Sequence, residues 1–274
     1  MDESVIRDMT RVAETMNAVN LAQGFPEIEL APTVRAALHA AVVVLNTPAN
    51  PHGKVWSRTE IECLAEIVIR RDVVLVTDET YSWITAPDHP HIAPATIAGL
   101  RQRTVTVSSF SKTYAVTGWR IGFAAAPAGL MRAIRTVHDF MTVCAPAPAQ
   151  RALVEALRLP SSFYTETAAT YRRRLAVLRD GLQRSGWRTN DPQGSYFLLV
   201  DVSELGIADD RAWAIDLART RGVAGVPGSA FLWAGMPRAD GRPDRRGTFL
   251  RLSFGKRDDL LEEAVRRLAE GPRG

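Results

Sequence analysis

Lys112 is the residue whose type and setting most call for chemistry. The cationic residues are almost all arginine, and lysine occurs only at 54, 112 and 256. An amine that must lose its proton and form an imine has to be lysine, because arginine stays charged. An alternating run of Thr104, Val105, Thr106 and Val107 precedes it and predicts a strand. Ser109 and Ser111 stand just before the amine and Arg120 eight residues after it, within an apolar stretch that resumes at Ile121. The plain alternative is a surface lysine beside a turn.

Two more polar residues interrupt or end apolar runs. Asp78 closes VVLVT at 73–77, and the carboxyl end of a buried parallel strand is a recognised ligand position. A helix cap is the ordinary alternative for it. Arg251 lies within TFLRLSF at 248–254, where burying a guanidinium costs free energy unless an anion meets it. An exposed place on an edge strand would avoid that cost. The Ser-x-x-Lys pattern at 109–112 also occurs in penicillin-binding proteins, but no Ser-Asp-Asn or Lys-Thr-Gly element follows it here.

The elements that must position these residues read as α/β. A helix predicted over 32–41, with Pro32 in its first turn, runs into a buried strand at 42–45 with no turn residue between them. A Pro/Asn-rich loop, NTPANPHG, follows at 46–53. Ser57 and Glu60 predict a capping box, and Ile61, Leu64 and Val68 continue at helical spacing. Further helices are expected over 129–140, over 151–185 with a break near 159–162, and over 210–220. A strand is expected at 196–202. A last helix begins at Asp258, with Leu260, Leu261, Ala264, Val265 and Leu268 on one face. The polar loop 239–247 has no assignable role, and no internal repeat is present.

Bulk properties exclude several classes. At 274 residues, 46% hydrophobic and 23% charged, the chain suits a globular protein of one large or two small domains. The opening 14 residues mix charges of both signs, which is no secretory signal, and the longest apolar stretch, 40–45, cannot span a bilayer. Cys63 and Cys144 have no metal-ligand spacing, so no metal is expected and a reducing cytoplasm is. Net charge +4 and pI ≈ 9.4 invite a nucleic-acid reading, but the arginines are scattered. An anionic cofactor and carboxylate substrates account for the charge more economically.

The segment SKTYAVTGWRIGF at 111–123 resembles the Schiff-base segment of class I aminotransferases, pyridoxal-phosphate enzymes of fold type I. NLAQGFPE at 20–27, NTPANPHG at 46–53 and DETY at 78–81 follow that family's order, and their details resemble the methionine and kynurenine aminotransferase and cysteine-conjugate β-lyase group. The resemblance implies an α/β fold with a truncated, mostly parallel large-domain sheet and a small α+β C-terminal domain. Its division would be 1–41 as N-terminal arm and helix, 42–150 as the rest of the large domain, and 151–274 as linking helices and small domain. The segments 222–231 and 248–254 would be small-domain strands.

The resemblance also implies roles. Lys112 would hold the aldehyde of pyridoxal 5′-phosphate and shuttle a proton, and Asp78 would pair with the pyridine nitrogen. Asn50 and Tyr81 would bond the phenolate oxygen, while Ser109, Ser111 and Arg120 would grip the phosphate. Arg251, Asn50 and the Gly24 backbone would bind the substrate. The reaction implied is transfer of an amino group between an L-amino acid (methionine, glutamine, kynurenine or aromatic) and a 2-oxo acid, in a cytoplasmic homodimer without nucleic acid or membrane. The turnless join around 40–42 marks a missing block that in the family supplies a phosphate-holding turn, a ring-stacking aromatic and a tyrosine for the neighbouring subunit. Losing two or three hydrogen bonds to charged groups, each about 1.5–3 kcal/mol, weakens cofactor binding by on the order of a thousandfold. The sheet would also be left with open edges or bare apolar faces. A weakly active or non-catalytic remnant, an interaction subunit, and a C–S β-lyase therefore remain as alternatives.

Overall fold

The computed structural model describes residues 42–231 and 248–271, which all belong to one compact unit, Ala41–Gly274. Gly24, the helix expected over 32–41 and the loop 239–247 lie outside the described residues.

The first sheet has the order β1 (Val42–Asn46), β2 (Val74–Asp78), β3 (Thr104–Ser109) and β4 (Gly122–Ala125). The first three strands run parallel and β4 is antiparallel to β3. Helix α1 (Arg58–Arg70) makes the crossover from β1 to β2. Its capping box forms as expected: Ser57 Oγ accepts from the Glu60 amide, and the Glu60 carboxylate accepts from the Ser57 amide at 2.9 Å. The helix buries Ile61, Ala65 and Val68 against Leu45 and Leu75, which share one face of the sheet.

The opposite face differs from the expectation of a wholly buried strand at 42–45. Val42, Val44 and Val107 are 50%, 71% and 37% exposed, so β1 is buried on one side only. Parallel strands are apolar on both faces because helices normally cover both, and here one cover is incomplete. Helix α2 (Phe110–Thr113) is a single turn after β3. Helix α3 (Ala128–Met141) is amphipathic yet buries no residue, and Phe140 near its end is 89% exposed.

Helices α4 (Ala147–Ala156) and α5 (Ser161–Arg184) are separated at 157–160, where Pro160 ends the break. The second sheet is antiparallel in the order β5 (Arg188–Thr189), β6 (Phe197–Asp201), β8 (Phe249–Ser253), β7 (Val226–Pro227). Its core joins Leu198, Leu250 and Leu252 to Leu178 and Leu182 of α5 and to Leu261 of α7 (Asp258–Arg267). Helix α6 (Asp210–Arg221) starts on the Asp209 side chain and ends at Gly222 in the left-handed region. The stretch 222–231 therefore carries little strand: Gly222 is a helix cap, β7 has 2 residues, and a 3₁₀ turn covers Gly228–Phe231. Leu260 also departs from expectation. It is exposed, because α7 turns Leu261 and Leu268 toward the core and leaves its predecessor on the solvent side.

Candidate active site

Two parallel strands end side by side and deliver most of the candidates. Asn46, Asp78 and Val107 sit opposite one another in the register of β1, β2 and β3, so the three loops leave from one edge. Asp78 does not cap a helix. Its Oδ1 accepts from the Thr80 amide at 3.1 Å and the Thr80 hydroxyl at 2.6 Å, which turns the chain and leaves Oδ2 without a partner among the described residues. Three residues on, Tyr81 is buried and packs edge-on to Tyr196 with ring centroids 5.2 Å apart.

At the end of β3, Ser109 caps α2. Its hydroxyl accepts from the Ser111 amide at 3.1 Å and lies 2.7 Å from Ser111 Oγ. Lys112 is half-buried, with Nζ 5.7 Å from the Tyr196 ring centroid. No carboxylate pairs with it among the described residues. Arg120 is exposed, and its guanidinium donates to the Thr117 carbonyl at 3.1 Å. Ala115 and Arg120, at φ 54° and 55°, are left-handed non-glycine residues on either side of this loop. Such strain persists where surrounding structure imposes it, often beside functional sites.

The second sheet supplies the remaining groups. Arg251 lies on β8, an inner strand between β6 and β7, so it is not on an edge. Its guanidinium stacks over Phe197 at 4.0 Å and Phe231 at 4.6 Å, and Nη1 donates to Asn50 Oδ1 at 2.6 Å. Burial lowers its pKa, yet an arginine stays charged. The contact also orients Asn50: guanidinium only donates, so the amide oxygen must face it and the NH₂ points elsewhere. The Asn50 loop is held against the strand leading into β6. Asn190 Nδ2 donates to the His52 carbonyl at 2.8 Å, and the Gly194 amide donates to the Gly53 carbonyl at 2.8 Å. A Cβ on Gly194 would lie 2.8 Å from Pro48 Cβ, so that approach requires glycine.

Asn50 and Arg251 thus touch directly, and Tyr81 and Lys112 meet at Tyr196. Ser109 and Ser111 share a hydrogen bond, while Arg120 stands apart on its local carbonyl. Sequence reasoning missed Tyr196 and Phe197, read only as the start of a strand. Ser195, at φ 63°, turns Tyr196 into the cluster, and no pattern in the chain signals that turn. A charge-free aromatic floor carrying one amine, one guanidinium and a nearby carboxylate suits a flat anionic ring with a carbonyl and a carboxylate-bearing partner. Among the described residues no group of side chains could hold a metal ion, and no helix is long and apolar enough to cross a membrane.

The model of the family described as aminotransferase class I and II matches residues 27–268. The probable N-succinyldiaminopimelate aminotransferase DapC of Mycobacterium tuberculosis is 35% identical over 227 residues, covering 83% of this chain and 57% of that protein. The methionine aminotransferase of Escherichia coli is 34% identical over 229 residues, covering 84% and 57%. The solved structure of the Mycobacterium tuberculosis N-succinyldiaminopimelate aminotransferase superposes with TM-score 0.78 at 34% identity, covering 86% of this chain and 60% of that one. The chain thus spans a little over half the length of these relatives.

Proposed function

Since the chain belongs to the class I and II aminotransferases, we propose that it binds pyridoxal 5′-phosphate and moves an amino group between an L-amino acid and a 2-oxo acid. The observation that carries this reading is the shared aromatic cluster. Lys112 lies over Tyr196 and Arg251 over Phe197, and neither cation pairs with a carboxylate among the described residues. The donor set fits the cofactor at its aldehyde, ring nitrogen and phenolate oxygen. At the phosphate, Ser109, Ser111 and the exposed Arg120 are the candidates, a thinner set.

Bound cofactor supplies an electron-withdrawing ring next to the substrate α-carbon. Lys112 would hold its aldehyde and, once released, take the proton from that carbon and return it. Asp78 would accept the ring N–H through its open oxygen. Tyr81, whose pKa is raised first by burial and then by Tyr196, would stay protonated and donate to the phenolate oxygen, as would the NH₂ of Asn50 that faces away from Arg251. Arg251 would take the substrate carboxylate while Phe197 and Phe231 exclude water from its faces. Methionine, kynurenine, glutamine and aromatic amino acids are the donors in this reading, and the relative named for N-succinyldiaminopimelate adds a donor with a distal carboxylate. Assembly as a homodimer belongs to the same reading.

A second reading, a weakly active or non-catalytic member, is favoured by the open valine face and by an α3 that buries nothing. One experiment separates the two. Titration with pyridoxal 5′-phosphate is expected to produce a visible band, and borohydride followed by peptide mapping to fix the cofactor on Lys112, with no adduct in Lys112→Ala. Addition of methionine should then bleach the band in a single turnover. Absence of a band, or labelling at Lys54 or Lys256, supports the second reading instead.

A further inference from the structure

Glu79 follows Asp78 directly, is 5% exposed, and has no part in the roles assigned above. Its Oε1 accepts from the Thr77 hydroxyl of β2 at 2.7 Å and the Thr106 hydroxyl of β3 at 3.3 Å. Its Oε2 lies 2.8 Å from Nε2 of His91, a side chain that is itself nearly sealed from solvent. The main chain turns to the same neighbour: the Glu79 N–H donates to the Val107 carbonyl at 2.8 Å, and its carbonyl accepts from the Ser108 hydroxyl at 3.2 Å. One residue therefore joins the end of β2 to the end of β3 by both backbone and side chain. Asp78 and Tyr81 leave from one side of this joint, and Ser109 and Lys112 from the other.

A buried carboxylate is costly to place unless donors converge on it, and those donors then hold it in one geometry. An apolar residue would fill the same volume without tying the strands at a set spacing. Among the described residues His91 Nδ1 has no hydrogen-bond partner, so the contact with Glu79 is what holds the imidazole. We propose that Glu79, oriented by His91, is a positioning residue that sets the distance between the strand end bearing Asp78 and Tyr81 and the strand end bearing Ser109 and Lys112. For its effect on chemistry this rests on the aminotransferase reading; for its effect on the strand ends it does not.

The test compares Glu79→Ala with Glu79→Gln in the full chain, by cofactor titration and by amide hydrogen exchange resolved to the 79–82 and 108–112 peptides. Glu79→Ala should weaken pyridoxal 5′-phosphate binding by about tenfold or more and accelerate exchange in both peptides together. Glu79→Gln keeps an acceptor for the threonines and should bring both readouts to within about threefold of the parent. A general loss of stability would instead speed exchange throughout the chain, the peptides of the second sheet included. Unchanged affinity and exchange in a folded Glu79→Ala overturn the proposal, as does faster exchange in one peptide alone or a folded Glu79→Gln that behaves like Ala. If Glu79→Ala does not fold, Thr77→Val removes the shorter hydroxyl contact at constant shape, and unchanged exchange in both peptides overturns the proposal just as well. If the parent binds no cofactor, the aminotransferase reading fails, and the exchange pattern alone decides the role of Glu79.

Discussion

Three phenols carry the clearest electrostatic mark around the site: Tyr81, Tyr171, which stacks on Tyr196 with ring centroids 5.6 Å apart, and Tyr114 just after α2, whose hydroxyl lies 2.7 Å from that of Tyr164. Burial raises each phenol above its ordinary range, and a second tyrosine adds to it: Tyr196 for Tyr81 and Tyr171, and Tyr164 for Tyr114. For Tyr81 the Arg251 charge opposes the shift without cancelling it. The sign is fixed by proton counting. A folded chain that keeps protons the unfolded chain releases is favoured in full below the unfolded phenol pKa of about 10, and that contribution is lost as pH climbs through the folded values. An alkaline absorbance titration should therefore show these phenols ionising only together with loss of the far-ultraviolet circular dichroism. Ionisation of all the tyrosines near pH 10 with the fold intact would contradict the buried cluster. Tyr81 was legible from its place in DETY. Tyr196 was not, because its position depends on the left-handed Ser195 and on a loop 138 residues away in the Asn190–His52 contact.

Among the elements, α1 shows how far local pattern reaches. Its capping box was readable from residue types three positions apart, since cap chemistry involves only the first turn. Ser57→Ala should lower stability by about 1 kcal/mol in denaturant melts. Glu60 is held down to about 2, by Lys54 first and by Ser57 second. Its contribution is present above the ordinary carboxylate range and fades as pH falls toward 2, so the gap between parent and variant should narrow over that interval. A gap that widens in acid would mean the carboxylate is not the cap's partner. The strands were less legible. Segment 222–231 has the composition of a strand, but Gly222 ends α6 and Gly228 starts a 3₁₀ turn, which leaves room for little pairing.

At the scale of the molecule, the open sheet face decides behaviour in solution. Val42 and Val44 lie on β1, which among the described residues is the edge strand, and Val107 continues the same face. Exposed edges and apolar faces of this kind favour association. Val44→Lys should change stability by no more than about 0.5 kcal/mol, while reducing binding of a hydrophobic dye and raising solubility. Destabilisation of several kcal/mol would show instead that this face is covered in solution.

By itself, the sequence determined the family, the succession of strands with their crossover helix, and the candidates proposed to hold an aldehyde, a ring nitrogen and a carboxylate. These depend on residue type and on spacings of a few positions, where local sterics and capping chemistry dominate. Only the tertiary structure decided that Arg251 meets Asn50 across 201 positions, that Tyr196 and Phe197 form the floor under Lys112 and Arg251, and that one face of the sheet stands open. Those outcomes follow from which surfaces find a partner, and an apolar alternation reads the same whether its partner is there or not.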